Sequence, residues 1–186
     1  MILHMDGAFF IEHATNRKGY YNARTRVGDS SMRDIYKGDV YRTENLCEAS
    51  ADHSHVAVPG PSLCNYLTAS VIDHIVSHGQ YVEWFGSTEL LVKFSKRLGA
   101  SRAWVGCVEF VQREQVELFD IYHEIAHHAT LRSTEPHHGE RFLGAYLLVA
   151  SLSPYPHHAR ILADQLRKEN LYPYANKYLS REFIHG

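Results

Sequence analysis

From Gln115 to Arg132 the chain contains no glycine or proline, and Leu118, Ile121, Ile125 and Ala129 recur at steps of three and four residues. That spacing predicts an amphipathic helix with those four side chains on its apolar face. The other face carries Asp120, His123, Glu124 and His127, the last three spelling H-E-x-x-H within "DIYHEIAHHA". The chain has 14 His in 186 residues. At that frequency, and with its glutamate content, the pattern arises by chance with a frequency of about 0.07, so it needs support from what surrounds it.

Residues four apart on a helix lie nearly above one another, so His123 and His127 aim two imidazoles at one point while Glu124 stays within reach of a metal-bound water. A bound Zn²⁺ brings the pKa of its water toward about 7 and polarises a carbonyl, and a neighbouring carboxylate takes the proton and returns it to the leaving group. The expectation is therefore Zn²⁺ as cofactor, His123 and His127 as ligands, and Glu124 as general acid and base.

A catalytic zinc takes three protein ligands and keeps one position open. Beyond the helix, "PHHGERF" offers His137 or His138 at the entry of a second apolar helix, with Glu140 as a competing carboxylate. The x-x-G-x-x-H extension of the metzincins is absent. Consecutive residues on a helix point about 100° apart, so only one of the two histidines faces the metal. His138 precedes Gly139, which permits close backbone approach, and stands four residues before Phe142, an apolar anchor for the same face. His138 is the expected third ligand.

"HEIAHH" followed by "HHGERF" resembles the H-E-x-x-H with downstream H-G-x-x-F of the SprT-like metallopeptidases. Within that family it is most similar to the short metallohydrolases of actinobacteria and their phages. The resemblance implies His123, His127 and His138 as zinc ligands, Glu124 as the catalytic acid and base, and Gly139 and Phe142 as scaffold positions. It spans roughly Asp34 to Leu171, specific in the motif region and agreeing elsewhere only in the order of elements. The zinc-ribbon tail of such relatives has no counterpart here and residues 1–32 have no place in the pattern, so a DNA-linked role is not implied.

The remaining chain reads as one domain over residues 33–186, preceded by an extension. In residues 1–32, "TNRKGYYNARTRVGDSS" is polar and without periodicity, which predicts a loosely ordered segment, with Met32 a candidate alternative start. "DIYKGDVYR" reads as a hairpin or short strand and "ASADHSHVAVPGPS" as a loop. Leu67 to His78 forms an amphipathic helix stopped by Gly79. "LLVKFSKR" and "RAWVGCVEFV" read as two antiparallel strands, with "GCVEFV" either an edge for an extended substrate or a core strand, the edge being the expectation. Helices follow over "GERFLGAYLLVASL", "HHARILADQLRKEN" and "YANKYLSREF". The expected fold is α+β: a zincin-like single domain with a small, mainly antiparallel sheet, the H-E-x-x-H helix and a helical C-terminal part.

Other histidines invite blander readings. His74 and His78 form a second H-x-x-x-H without a following glutamate, which suits an ordinary polar helix face. His53 and His55 fall in the Pro/Gly loop. His157 and His158 read as helix-entry residues, one of them a candidate to line the cleft. Asp120 is either an acceptor behind the ligands or an exposed first-turn carboxylate. Among the tyrosines, Tyr146 on the ligand-bearing helix is the first to test.

A net charge of −2 with 22% charged residues supplies no field for a nucleic-acid backbone or an anionic membrane. Cys47, Cys64 and Cys107 are odd in number and lack a C-x-x-C, which argues against a disulfide framework and for a reducing, cytoplasmic setting. The N-terminus makes a poor signal peptide and no stretch approaches a membrane span. The expected function is zinc-dependent hydrolysis of a peptide or protein substrate. The alternatives are a nucleic-acid-associated factor and a protein with a purely structural zinc.

Overall fold

A computed structural model describes residues 4–5, 8–9, 34, 36–52, 62–63, 65–86, 89–96, 99–111, 116–133 and 135–184. Over these the chain is α+β and mostly helical. The helices are α1 (Lys37–Asp52), α2 (Asn65–Val76), α3 (Gly79–Phe85), α4 (Leu118–Thr130), α5 (Glu140–Leu152), α6 (His157–Lys168) and α7 (Tyr172–Ile184). Strands β1 (His4–Met5), β2 (Ala8–Phe9), β4 (Leu91–Ser95), β6 (Cys107–Val111) and β5 (Arg102–Trp104) lie side by side in that order. Two further short strands, β3 (Ser62–Leu63) and β7 (Val116–Glu117), pair with each other. Among the described residues no helix is long and apolar enough to cross a membrane.

The helix expected over residues 115–132 is α4, but it is not one-sided. Every residue from Leu118 to Ala126 is buried except Asp120, with His123 and Glu124 included. A helix enclosed all round belongs to the centre of its domain. Here α1, α2 and α5 pack on α4 together with β5 and β6. Its polar residues are therefore held in the interior, where each must find a partner or a ligand.

Two expectations about the sheet need correction. The run "RAWVGCVEFV" is itself a hairpin: Val105 and Gly106 form the turn between β5 and β6, with Gly106 at φ +73°, a conformation that glycine adopts without steric cost. Consequently β4 pairs with β6 in parallel, from Leu91 opposite Cys107 to Ser95 opposite Val111. The heart of the sheet is mixed rather than mainly antiparallel. It also follows that "GCVEFV" is no edge, because β6 has β4 on one side and β5 on the other. In the N-terminal extension, Ala8 and Phe9 pair with Lys93 and Val92 of β4, so this part of the segment joins the sheet.

"DIYKGDVYR" is also not a hairpin, since Lys37 opens α1. The buried residues of this helix are Val40, Thr43, Glu44 and Cys47, at helical spacing, and two of the four are polar. A search for apolar periodicity passes over such a stripe. Gly79 begins α3 rather than simply ending α2, with His78 as the N-cap whose Nδ1 accepts from the Gln80 amide at 3.2 Å.

α5 is almost wholly buried and lies between α4 and α7. It meets α7 at Gly144. A Cβ built there would stand 2.3 Å from Cδ1 and 2.9 Å from Cβ of Tyr178, so the two backbones pack at a distance that only glycine allows.

Candidate metal centre

α4 and the N-terminal end of α5 bring His123, His127 and His138 together, with one ring nitrogen from each lying within 4.8 Å of the others. His123 and His138 are buried and His127 is half-buried. The neighbouring His137 is exposed, and Glu140 is held by Lys177 at 2.8 Å on the α7 side, so neither competes for the cluster. Gly139 makes its close approach to the Pro136 carbonyl, where a Cβ would stand at 3.1 Å, rather than to α4. That tight turn delivers His138 inward just before α5 begins.

The ring orientations carry chemical information. Nε2 of His123 and Nε2 of His138 face each other at 3.4 Å. Two nitrogens on a tetrahedral zinc at the usual Zn–N distance are separated by about 3.3 Å. The Nδ1 atoms point the other way, toward acids that the sequence patterns did not single out. His138 Nδ1 hydrogen-bonds Oδ2 of Asp34 at 2.5 Å; His123 Nδ1 lies 3.4 Å from Oε1 of Glu44, close enough for charge attraction but outside hydrogen-bond geometry. A ligating imidazole typically gives its second N–H to a carboxylate, which fixes the tautomer and leaves the other nitrogen free to ligate.

Aromatic rings close the surroundings. Phe142 sits under all three histidines, with ring centroids 4.5 Å from His127, 4.9 Å from His138 and 5.0 Å from His123. Tyr41 of α1 stacks on His123 from the solvent side at 5.4 Å and stays 43% exposed. Tyr146 of α5 is fully buried. Its hydroxyl donates toward Glu44 Oε1 at 3.3 Å and toward the Phe119 carbonyl at 3.4 Å, so it supports the site from behind and is out of reach of a substrate.

The electrostatics follow from this burial. Burial, reinforced by its histidine neighbours, holds His127 far below the ordinary imidazole value, so its lone pair is available. Burial also lowers His138, against the opposing pull of Asp34. For His123 burial lowers the value, but Glu44 outweighs it and the net direction is upward. Glu124 is pushed up to about 7, chiefly by burial, and its Oε2 has no hydrogen-bond partner among the described residues. Asp120 acts on both His123 and Glu124 through its charge.

The other histidines named from sequence lie elsewhere. His74 and His78 are exposed and do not share a helix. His158 is a core residue whose ring nitrogen meets the Tyr122 hydroxyl at 3.1 Å, so it does not line a cleft. His53 and His55 lie outside the described residues. Asp34, Tyr41 and Glu44 were missed. The detectable signal was the placement of Glu44 in the Val40, Thr43, Cys47 stripe, a carboxylate at a core position.

In comparisons with known proteins, the chain matches no family model, no curated protein and no solved structure. The reading of the site therefore rests on its own geometry. Three inward imidazoles, two of them backed by carboxylates, together with a buried carboxylate oxygen lacking a partner, fit a divalent cation.

Proposed function

We propose that this chain is a zinc-dependent hydrolase, SprT-like in its motif and zincin-like in its fold, that cleaves peptide bonds in a peptide or protein substrate. His123, His127 and His138 hold the ion, Glu124 handles protons, and residues 33–186 form the hydrolase domain. The observation that carries this reading is the meeting of the three imidazoles beside the buried, unpartnered Oε2 of Glu124. A donor set of three nitrogens suits Zn²⁺ over Mg²⁺ or Ca²⁺, which take oxygen.

Zinc bound at such a site supplies Lewis acidity and lowers the pKa of a coordinated water. Glu124 takes up a proton at its carboxylate and gives it to the departing amine. Burial of that carboxylate keeps bulk water from competing for the proton. Tyr41 shields one face of His123, and β5, outermost in the sheet and packed against α4, offers backbone groups to an extended peptide.

The test is zinc content and hydrolysis of an unfolded protein substrate by the wild type beside Glu124→Gln. The expected variant keeps about one zinc per chain and loses activity by about 10²–10⁴-fold, the range of general acid–base catalysis. Equal activity in the two proteins rejects the role of Glu124. A zinc-loaded wild type without hydrolysis rejects the enzyme reading in favour of a structural ion.

A further inference from the structure

Glu44 is 5% exposed on a helix that supplies no positive partner for it. Among the described residues no lysine or arginine pairs with it. Its neighbours are the Tyr146 hydroxyl at 3.3 Å and His123 Nδ1 at 3.4 Å. A carboxylate buried in such a place needs donors close by. Asp34 repeats the arrangement one turn before α1, with Oδ2 on His138 Nδ1 and Oδ1 buried without a partner among the described residues. Both acids approach the ring nitrogen opposite the one that faces the other histidine, so neither is placed to share the ion itself.

We infer that Asp34 and Glu44 are the positioning residues of the metal centre. Each draws the imidazole proton to Nδ1, so that His138 and His123 present the Nε2 lone pairs 3.4 Å apart to one cation. This inference rests on the metal reading above but not on hydrolysis. Tyr146 belongs to the same device. By donating to Glu44 it fixes the carboxylate that fixes His123, a chain running from α5 through α1 to α4. With both protons on Nδ1, the two Nε2 lone pairs face each other across 3.4 Å, an arrangement that a cation between them stabilises. Occupancy of the centre thereby depends on the docking of the segment from Asp34 to Cys47 against α4 and α5.

The experiment measures zinc affinity by chelator competition, and the Co²⁺ absorption spectrum, for the full chain, Asp34→Asn, Glu44→Gln, Glu44→Ala and Tyr146→Phe. Melting of the metal-free proteins reports folding separately. The expected result is a 10- to 100-fold weaker zinc affinity for Asp34→Asn and Glu44→Gln, the range for partners behind metal ligands. The loss should be larger for Glu44→Ala and smaller for Tyr146→Phe, with altered Co²⁺ bands in each. Because Gln keeps an oxygen able to accept from Nδ1, Glu44→Gln should retain more affinity than Glu44→Ala, and altered Co²⁺ bands in a Glu44→Gln protein that melts normally separate positioning from a merely structural role. Wild-type affinity in both Asp34→Asn and Glu44→Gln, in proteins that melt normally, overturns the inference while leaving the metal reading intact. A wild type that binds no zinc overturns both.

Discussion

Tyr122 and His123 are consecutive residues of α4, and each meets a buried histidine from another part of the chain. The two meetings differ in kind. On the Tyr122 side, His158 can donate from Nδ1 to the phenol oxygen at 3.1 Å, the phenol to Ser153 Oγ at 3.0 Å, and that hydroxyl to the Ala150 carbonyl at 2.9 Å. Every step pairs a donor with an acceptor, and nothing further is required. On the His123 side, two nitrogens face each other and their outer partners are acids, so that contact closes only with a proton or a cation between the two nitrogens. A buried histidine is thus an ordinary core residue when its hydrogen bonds form a complete chain. It belongs to a ligand site when several of them leave lone pairs pointing at one place.

The largest effect expected from this difference is on zinc affinity. His123→Ala and His127→Ala each remove one of three ligands and should weaken zinc by more than the 10- to 100-fold ascribed to partners behind the ligands. His158→Gln, at an equally buried position, should leave zinc stoichiometry at the wild-type value. Loss of zinc in His158→Gln, measured by elemental analysis, would erase the distinction between the two sides of α4.

Next in size is the effect of chelation on melting. At a free zinc concentration about 1,000 times Kd, the ion stabilises the native state by about 4 kcal/mol. For a domain of this length each kcal/mol corresponds to about 2–4 °C, so stripping the metal should lower Tm by about 8–16 °C. An unchanged Tm on metal removal would contradict a site formed only in the folded state.

Gly144→Ala should act on stability alone. Its Cβ would overlap Tyr178, and overpacking of this kind costs about 1–3 kcal/mol. The expected result is a lower Tm with zinc content unchanged. Loss of zinc from the folded variant would show that the α5–α7 contact also positions His138.

A different kind of effect, read from pH and not from zinc, is expected on the satisfied side. Burial, with the charge of His157 beside it, pushes His158 down to about 4. The unfolded chain takes up this proton near pH 6.5 and the folded chain only near 4, so stability is full above about 6.5 and declines as pH falls toward 4. His158→Gln should flatten that part of the Tm–pH profile relative to wild type. A profile of equal slope in the two proteins would mean that His158 is not held neutral in the fold.

Local regularity explains which parts of this architecture were readable. The motif helix was accessible because four-residue spacing fixes the faces of α4 whatever surrounds it, and the choice of His138 over His137 rested on Phe142 four residues on, whose ring lies 4.9 Å from that of His138. α1 was not readable, because Thr43 and Glu44 occupy half of its buried stripe and break the apolar period. Nor were the acids behind the ligands: Asp34 lies 104 residues from His138 and the pairing exists only in three dimensions. The parallel pairing of β4 with β6 was hidden by a two-residue turn inside what reads as one apolar run. Such pairings depend on tertiary context that periodicity does not encode.

The central claim is that His123, His127 and His138 bind one metal ion. The most direct test is zinc bound per chain at equilibrium for the wild type, His137→Ala and His138→Ala, each checked for folding by its melting transition. The wild type should hold one zinc, His137→Ala one, and His138→Ala none stoichiometrically. Zinc retained at full stoichiometry by a folded His138→Ala, or no zinc in the wild type, would contradict that claim.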